Sequence, residues 1–147
     1  MFNLKEKLDW LKQLITKRMA YILYTLRHKV AFLKVEKQLR GRYTWRGLMH
    51  DMDKPFLYMA LWKNVSEIQV THRNHSKHHV KNNLKKSEED LLDTIIDWEC
   101  ARMTKPDKPL NAYETLMKFY PSYQAVYLPI IRKHLPYQIT DKSKIKE

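Results

Sequence analysis

The sequence predicts an all-α protein, and three observations indicate that class. The chain of 147 residues contains only two glycines, Gly41 and Gly47, and therefore few positions for the positive φ angles of tight strand turns. Apolar residues recur at three- and four-residue steps, which is the period of an amphipathic helix. Several of these stretches follow residues that cap helices. The length and the 44% content of hydrophobic residues predict a single domain over residues 1–147.

The first predicted element is a long amphipathic helix, or two in succession, from about residue 4 to residue 39. Its apolar positions are Leu4, Leu8, Leu11, Ile15, Met19, Ile22, Leu26, Val30 and Leu33. Residues 1–19 form an N-terminal helical extension, whose basic, Trp-containing sequence is compatible with a position on a membrane surface. Packing on the rest of the domain, or on a second copy in a homodimer, is the preferred interpretation, because the apolar face continues toward the expected core.

Shorter helices are predicted for the middle of the chain. Thr44 is suited to cap a short helix that ends near His50. Pro55 fits the first turn of a helix that begins at residue 53 or 54. The next helix is expected to begin near Ser66 and to run through a group of histidines to about residue 80.

The last part of the chain continues this pattern. Ser87, with Asp90 three residues later, predicts the start of a helix that extends to about residue 103 and contains Asp97. Residues 105–109 predict a stiff loop. Helices are expected near residues 111–119 and 122–134. Pro136 is then expected to end the ordered part, with a flexible basic tail over residues 138–147.

Composition limits the compartment and the partners. A single cysteine, Cys100, and no signal peptide at the start of the sequence indicate a cytoplasmic location. The longest nearly apolar stretch, residues 19–26, is far below the roughly 20 residues that span a bilayer, so no transmembrane segment is expected. The net charge of +12 favours partners that carry phosphate, such as nucleotides, nucleic acids or anionic lipids. No Gly-rich phosphate loop, Cys-x-x-Cys pair or nucleophilic serine motif is present, which excludes those enzyme classes.

Histidines and carboxylates are concentrated in one part of the sequence. Neutral imidazole and ionised carboxylate are the ligands of divalent transition metals. The candidate ligands are His28, His50, Asp51, His72, His78, His79 and Asp97. On a helix that reaches residue 80, His72, His75 and His79 would share one face. The neighbours His78 and His79 would then diverge, so one would bind an ion and the other a second ion or the substrate.

The order of these residues resembles the H...HD...D arrangement of the HD-domain superfamily of metal-dependent phosphohydrolases. The segments that carry the resemblance are residues 26–29 (Leu-Arg-His-Lys), 45–54 (Trp-Arg-Gly-Leu-Met-His-Asp-Met-Asp-Lys), the His78-His79 pair and 96–98 (Ile-Asp-Trp). They are similar to a family of small, uncharacterised bacterial and phage proteins over roughly residues 20–104. Asp53 stands where that family usually has serine, and Ser76 stands where it has asparagine. These differences bear on substrate selection and leave the expected ligands unchanged.

The resemblance implies a compact, HD-domain-like helical bundle. In it, His28, His50, Asp51 and Asp97 would hold a divalent metal. His72, His78 or His79 would be available for a second ion. The expected cofactor is one or two ions of manganese, iron, cobalt, nickel or zinc.

The reaction implied is hydrolysis of a phosphate ester in a nucleotide or a related phosphorylated small molecule. The ion would lower the pKa of bound water and offset charge on the phosphoryl oxygens. Asp51 or Asp97 would orient the water as a catalytic residue. Lys54 would serve catalysis by binding the phosphate, and Arg73 or Arg102 would add a planar pair of donors to its oxygens.

Two functions without catalysis remain open. One is a basic nucleic-acid-binding protein in which the histidines hold a structural metal or none, with binding through the denser basic segments 34–46 and 77–86. No helix of the kind that reads DNA can be identified, however. The other is an accessory protein that senses metal.

Overall fold

The structure is a computed structural model that describes residues 3–82, 84–105, 107 and 110–140. These residues contain helices and no β-strand, so the predicted all-α class is confirmed. The helices are α1 Leu4–Arg40, α2 Trp45–Met49, α3 Asp53–Met59, α4 Val65–His75, α5 Glu88–Thr104, α6 Ala112–Phe119, α7 Gln124–His134 and α8 Tyr137–Thr140, with a 3-10 turn at Pro121–Tyr123. None of the helices in the described ranges combines the length and the apolar composition needed to cross a bilayer.

Short-range capping explains where the helices begin and end. The side chain of Asn3 accepts a hydrogen bond from the Glu6 amide, and the Glu6 carboxylate accepts one from the Asn3 amide, which closes the start of α1. At its other end Gly41 takes the left-handed conformation, with φ of 72°, and ends the helix. Between these two caps α1 is one unbroken helix. The predicted caps Thr44 and Ser87 are confirmed at the starts of α2 and α5.

The hydrophobic core lies around α5, which packs against α1, α6 and α7. Its fully buried side chains include Phe32 from α1, Ile95 and Ile96 from α5, Leu116 from α6 and Ile131 from α7. Because α5 lies between α1 and the C-terminal helices, it fixes the position of any polar residue on its α1 side. Asp97 is such a residue, since it contacts His28 of α1.

The apolar stripe that predicts α1 does not pack on the core. The buried residues of α1 form a different face, namely Arg18, Thr25, His28, Ala31, Phe32, Val35 and Glu36. Seven of the nine stripe residues are exposed, from 38% for Leu11 to 55% for Val30 and 75% for Leu4, while Ile22 and Leu33 are partly buried. At about 100° per residue, the centre of the stripe lies roughly a third of a turn from the centre of the buried face. The expectation that the stripe continues into the core is therefore wrong.

The helix predicted to reach residue 80 ends at His75, which is a second correction. Ser76 has an extended backbone and ends α4. The side-chain amide of Asn82 donates to the carbonyls of Arg73, in the last turn of α4, and of Ser76, which caps it, at 3.0 and 2.7 Å. Consequently His78 and His79 lie in a turn and not on the face of a helix.

The C-terminal part also departs from the prediction. The chain continues past Pro136 as α8, in which Gln138 is buried and donates to the Glu99 carboxylate at 2.7 Å. Pro136 therefore does not end the ordered part. Residues 141–147 of the predicted tail lie outside the described residues, as does most of the predicted loop 105–109, of which Lys105 and Asp107 are described.

A buried carboxylate holds α2 against α1. Glu36 is fully buried and accepts hydrogen bonds from the backbone amide and the hydroxyl of Thr44, and from the Arg40 guanidinium at 3.0 Å. Gly47 lies directly over this carboxylate, and a Cβ at that position would collide with it. Gly47 is therefore required by close approach, whereas Gly41 is favoured by its positive φ and has open space around it.

The two glycines give a matched pair of alanine substitutions. We expect Gly47→Ala to lower the free energy of unfolding by about 2–3 kcal/mol, because the added methyl group overpacks a buried, fully bonded carboxylate. Gly41→Ala should cost about 1 kcal/mol through backbone strain alone. Urea denaturation of both variants measures the difference. Equal costs would contradict the close packing of α2 on Glu36.

Candidate metal centre

Seven candidate ligands from five segments meet at one place. They are His28 on α1, His50 and Asp51 in the turn after α2, His72 on α4, His78 and His79 in the turn after α4, and Asp97 on α5. The structure therefore brings together every metal ligand that the sequence proposes, in groups that can hold a metal ion. His75 is exposed and stays outside, with its ring close to the carbonyl of Thr71.

One group forms between α1, α5 and the turn after α2. The Nε2 atom of His28 lies 2.8 Å from Oδ1 of Asp97, and the Nε2 atom of His50 lies 3.5 Å from the same oxygen. His50 Nε2 is also 3.7 Å from Oδ2 of Asp51. The ring of Phe32 stacks on His50 at 3.8 Å between centroids, so core packing fixes the orientation of this imidazole.

A second group forms around the other oxygen of Asp51. Oδ1 lies 2.9 Å from Nε2 of His72 and 3.3 Å from Nε2 of His78. The rings of His78 and His79 are 4.3 Å apart, and ligand atoms of His72, His78 and His79 lie within 4.8 Å of one another. Both members of the His78-His79 pair thus join one group, because the turn lets two consecutive side chains point the same way. Asp51 lies between the two groups.

Five atoms of this cluster are buried and make no hydrogen bond. They are the Nε2 atoms of His50, His72, His78 and His79 and the Oδ1 atom of Asp51. His72 Nε2 and Asp51 Oδ1 are close enough to bond but are not aligned for it. Buried polar atoms are normally satisfied, and several unsatisfied lone pairs in one place fit a cation that they would share. The chemistry and position of these donors therefore suit a divalent transition metal.

The backbone at Asp51 is strained in a way that serves this arrangement. Its φ of 57° is the one positive value outside glycine in the described ranges. Lys29 stabilises the turn, since its ammonium donates to the carbonyls of Gly47 and His50 at 3.1 and 3.0 Å, and to that of Leu48. Sequence reasoning missed Lys29, because its contacts are 18 to 21 residues away and nothing local distinguishes it from the other lysines of α1.

The two carboxylates are held in the ionised form. Burial by itself would raise the pKa of Asp51, but the nearby rings of His50, His72 and His78 and the Lys54 ammonium, 2.6 Å from Oδ2, keep it well below its ordinary value. Burial opposes ionisation of Asp97 in the same way, and the pKa of Asp97 is nevertheless well below its ordinary value because His28 and His50 contact its carboxylate. Both groups are therefore ready to bind a cation.

The imidazoles differ among themselves. Burial lowers the pKa of His50, and it lowers the pKa of His79 to about 3, so both rings are neutral at physiological pH. Burial also acts on His72, but the carboxylates of Asp51 and Asp53, 2.9 and 2.8 Å from its two nitrogens, raise its pKa. His50 and His79 are therefore in the neutral form that metal binding requires, whereas the two carboxylates beside His72 favour its protonated form.

His72 is oriented by two residues that sequence reasoning assigned to substrate selection. Its Nδ1 donates to the Asp53 carboxylate at 2.8 Å, and the Ser76 hydroxyl lies 3.2 Å from the same nitrogen. This contact fixes the ring so that Nε2 faces into the cluster. Asp53 and Ser76 are the two positions that depart from the pattern of the resembling family, and they meet at one imidazole nitrogen.

A cleft of about 680 Å³ opens beside His72 and His79. The cationic residues in its wall are Lys54, Arg73 and Lys105, and its aromatic residues are Tyr21, Tyr24 and Tyr58. Lys105 was not among the residues proposed from the sequence. Arg102 is not brought to this cleft, since it forms an ion pair with Glu99 at 3.0 Å, next to the start of α6.

Comparison with protein-family models, with curated proteins and with solved structures gave no match for this chain. The resemblance to the HD-domain superfamily therefore stays a prediction from the sequence.

Proposed function

We propose that this protein is a metal-dependent hydrolase that cleaves a phosphate ester. The observation that carries the proposal is the set of five buried, unbonded ligand atoms on four histidines and Asp51. A purely structural cluster would satisfy these atoms by pairing them with one another or with the backbone. The hypothesis of an HD-type enzyme, related to the small bacterial and phage proteins and located in the cytoplasm, belongs to this proposal.

In this proposal one or two ions bind at the two groups of candidate ligands. His28, His50, Asp51 and Asp97 would hold the first ion. His72, His78 and His79, with Asp51 shared between the groups, would hold the second. Imidazole and carboxylate ligands suit manganese, iron, cobalt, nickel and zinc, which are the candidate metals.

The chain supplies the remaining parts of a hydrolytic site. A bound ion would lower the pKa of water and offset charge on the phosphoryl oxygens. Asp51 and Asp97 are ionised and present oxygens that would orient a water molecule by accepting its protons. Lys54 holds Asp51 at 2.6 Å and lines the cleft, where its remaining protons would be donated to a phosphate.

The cleft supports a phosphorylated small molecule as the substrate. Arg73 and Lys105 line it, and neither forms an ion pair within the described part of the chain. They are therefore available to bind phosphate oxygens. Tyr21 and Tyr24 line the same cleft and are partly exposed, which would suit a substrate with an aromatic base, such as a nucleotide.

The test combines metal analysis with a hydrolysis screen. We expect purified protein to retain a divalent transition metal, and nucleotides to be hydrolysed when each candidate ion is restored after chelation. His50→Ala should lower both metal content and turnover by at least about 100-fold, because it removes a buried ligand. His75→Ala, an exposed histidine outside the cluster, is the matched control and should retain both within about twofold. Absence of metal in the wild-type protein, or unchanged hydrolysis in His50→Ala, would refute the proposal.

Nucleic-acid binding is a second candidate, favoured by the net charge of +12. Part of the basic segment 34–46 is already neutralised, however. Arg40 bonds to Glu36, Glu89 and Asp93, and Arg46 bonds to Asp90 and Asp93. This candidate predicts a different result, namely nucleic-acid binding that weakens steeply with salt and is unaffected by His50→Ala.

A further inference from the structure

The exposed stripe of α1 follows an 11-residue repeat. Its three units are Leu4, Leu8 and Leu11, then Ile15, Met19 and Ile22, then Leu26, Val30 and Leu33. Eleven residues make close to three helical turns, so the stripe drifts only about 20° per repeat along a straight helix. Nine apolar side chains therefore lie on one side of α1 over roughly 45 Å, seven of them exposed and two, Ile22 and Leu33, partly buried. Such a stripe fits a flat partner better than a globular one.

The apolar surface extends beyond α1. Arg18, which neighbours Ile15 and Ile22 on the helix, donates to the carbonyl of Lys63 and brings the preceding turn, with Trp62 at 83% exposure, beside the stripe. Lys29, which neighbours Leu26 and Leu33, binds the carbonyls at the end of α2, where Leu48 and Met49 are exposed. Exposed apolar side chains on α1 and on these two neighbouring segments together indicate an interaction site.

The charged residues beside the stripe indicate which kind of partner would bind this surface. Lys5, Lys12, Arg27 and Lys34 follow one edge of the stripe at seven- and fifteen-residue intervals. No ion pair involves any of these four within the described residues. Two of these cations lie at each end of the stripe, and Asp9 lies on the same edge between Lys5 and Lys12. Four positive charges and one negative charge give the edge a net charge of +3, which favours a partner with a negatively charged surface.

A second copy of the chain does not offer such a negatively charged surface. In an antiparallel pair of α1 helices, the two basic edges would face each other and repel. In a parallel pair, the basic edge of one helix would face the opposite edge of the other, where α2 and α3 already pack. An anionic bilayer is compatible with both the apolar stripe and its basic edge, because apolar side chains enter the boundary between headgroups and acyl chains while lysines contact lipid phosphates.

We propose that α1 binds an anionic lipid bilayer along its stripe, with Leu48, Met49 and Trp62 at the edge of the contact. The helix would lie in the plane of the interface without crossing it, as its length and composition require. This inference is independent of the hydrolase proposal, because no residue of the metal centre takes part in the contact.

Vesicle co-sedimentation of the full chain tests the proposal. We expect binding to vesicles of phosphatidylcholine with about one third phosphatidylserine, and at least tenfold weaker binding to phosphatidylcholine alone, because about four lysine and arginine side chains contribute electrostatically. Added salt should weaken the binding to the anionic vesicles. Absence of binding to anionic vesicles would overturn the proposal.

A charge-matched pair of variants locates the contact. Ile15→Glu places a charge on the stripe and should lower vesicle affinity at least tenfold, because an apolar side chain no longer enters the interface. Gln13→Glu adds the same charge away from the stripe and should change affinity about twofold or less. Both positions are exposed, so both variants should keep the helical circular dichroism and the metal content of the wild-type protein. A stable dimer in sedimentation equilibrium that Ile15→Glu dissociates would instead assign the stripe to a second copy and overturn the proposal.

Discussion

Replacing Asp51 with asparagine is expected to lower metal affinity and any metal-dependent hydrolysis at least about 100-fold. Loss of a residue that only supports a ligand costs up to about 100-fold, and loss of a ligand should cost at least as much. Asp51 is the residue that contacts both groups of ligands, with Oδ2 facing His50 and Oδ1 facing His72 and His78. Asparagine keeps the shape and tolerates the left-handed backbone at φ of 57°. The change therefore removes the negative charge with little effect on the turn. Elemental analysis and isothermal titration with zinc or manganese measure the loss.

Two controls separate loss of metal from loss of fold. Glu88→Gln removes a carboxylate from an exposed ion pair with Lys133, remote from the cluster, and should leave metal affinity unchanged. Asp51→Asn also leaves Lys54 without its anionic partner, so thermal unfolding of the metal-free variant should be recorded alongside. If Asp51→Asn retains wild-type affinity while folded, Asp51 is not a ligand and the proposed sharing between two groups is wrong.

The free energy of unfolding of the metal-free protein is expected to fall as the pH drops below about 6.5. Burial lowers the pKa of His79 from 6.5 to about 3 and also lowers the pKa of His50. Such groups stabilise the folded state above the unfolded pKa, and this stability is lost on acidification because the unfolded chain takes up protons that the folded chain excludes. His79 alone predicts a loss of roughly 2 kcal/mol between pH 6.5 and pH 5.

His72 acts in the opposite direction. Its raised pKa gives a contribution that is complete below 6.5 and is lost as the pH rises through its folded value. Urea denaturation between pH 5 and pH 8 measures the sum, and His79→Gln is the variant that should flatten the slope between pH 6.5 and 5. Stability that is constant or rises toward pH 5 would show that these rings are not excluded from protonation.

Local sequence signals were sufficient for most helix boundaries. Thr44 and Ser87 cap their helices through contacts with residues only three positions away, so a single sequence contains the needed information. The residues of the cluster could also be proposed from the sequence, because histidines and aspartates have few structural roles that concentrate them in this way. Their grouping depends on contacts between separate helices.

The wrong predictions have a common physical cause: these features depend on contacts with residues that are distant in the sequence. The buried face of α1 carries Arg18, Thr25 and Glu36, whose burial depends on tertiary packing that periodicity does not show. The apolar stripe has a clearer helical period than the buried face, which is why the sequence predicts the stripe to be the core face. The end of α4 depends on Asn82, whose amide caps it from beyond the turn.

The position of His78 and His79 in a turn affects how an ion would enter and leave. His28 and Asp97 belong to α1 and α5, which contact each other along the core and can separate only if the domain unfolds. The turn that carries His78 and His79 belongs to no helix, and it is held by the Asn82 amide, which donates to the Ser76 carbonyl, and by Val80, which is buried in the core. Opening this turn breaks fewer contacts than separating α1 from α5, so an ion held by His78 and His79 would leave faster than one held between the two helices.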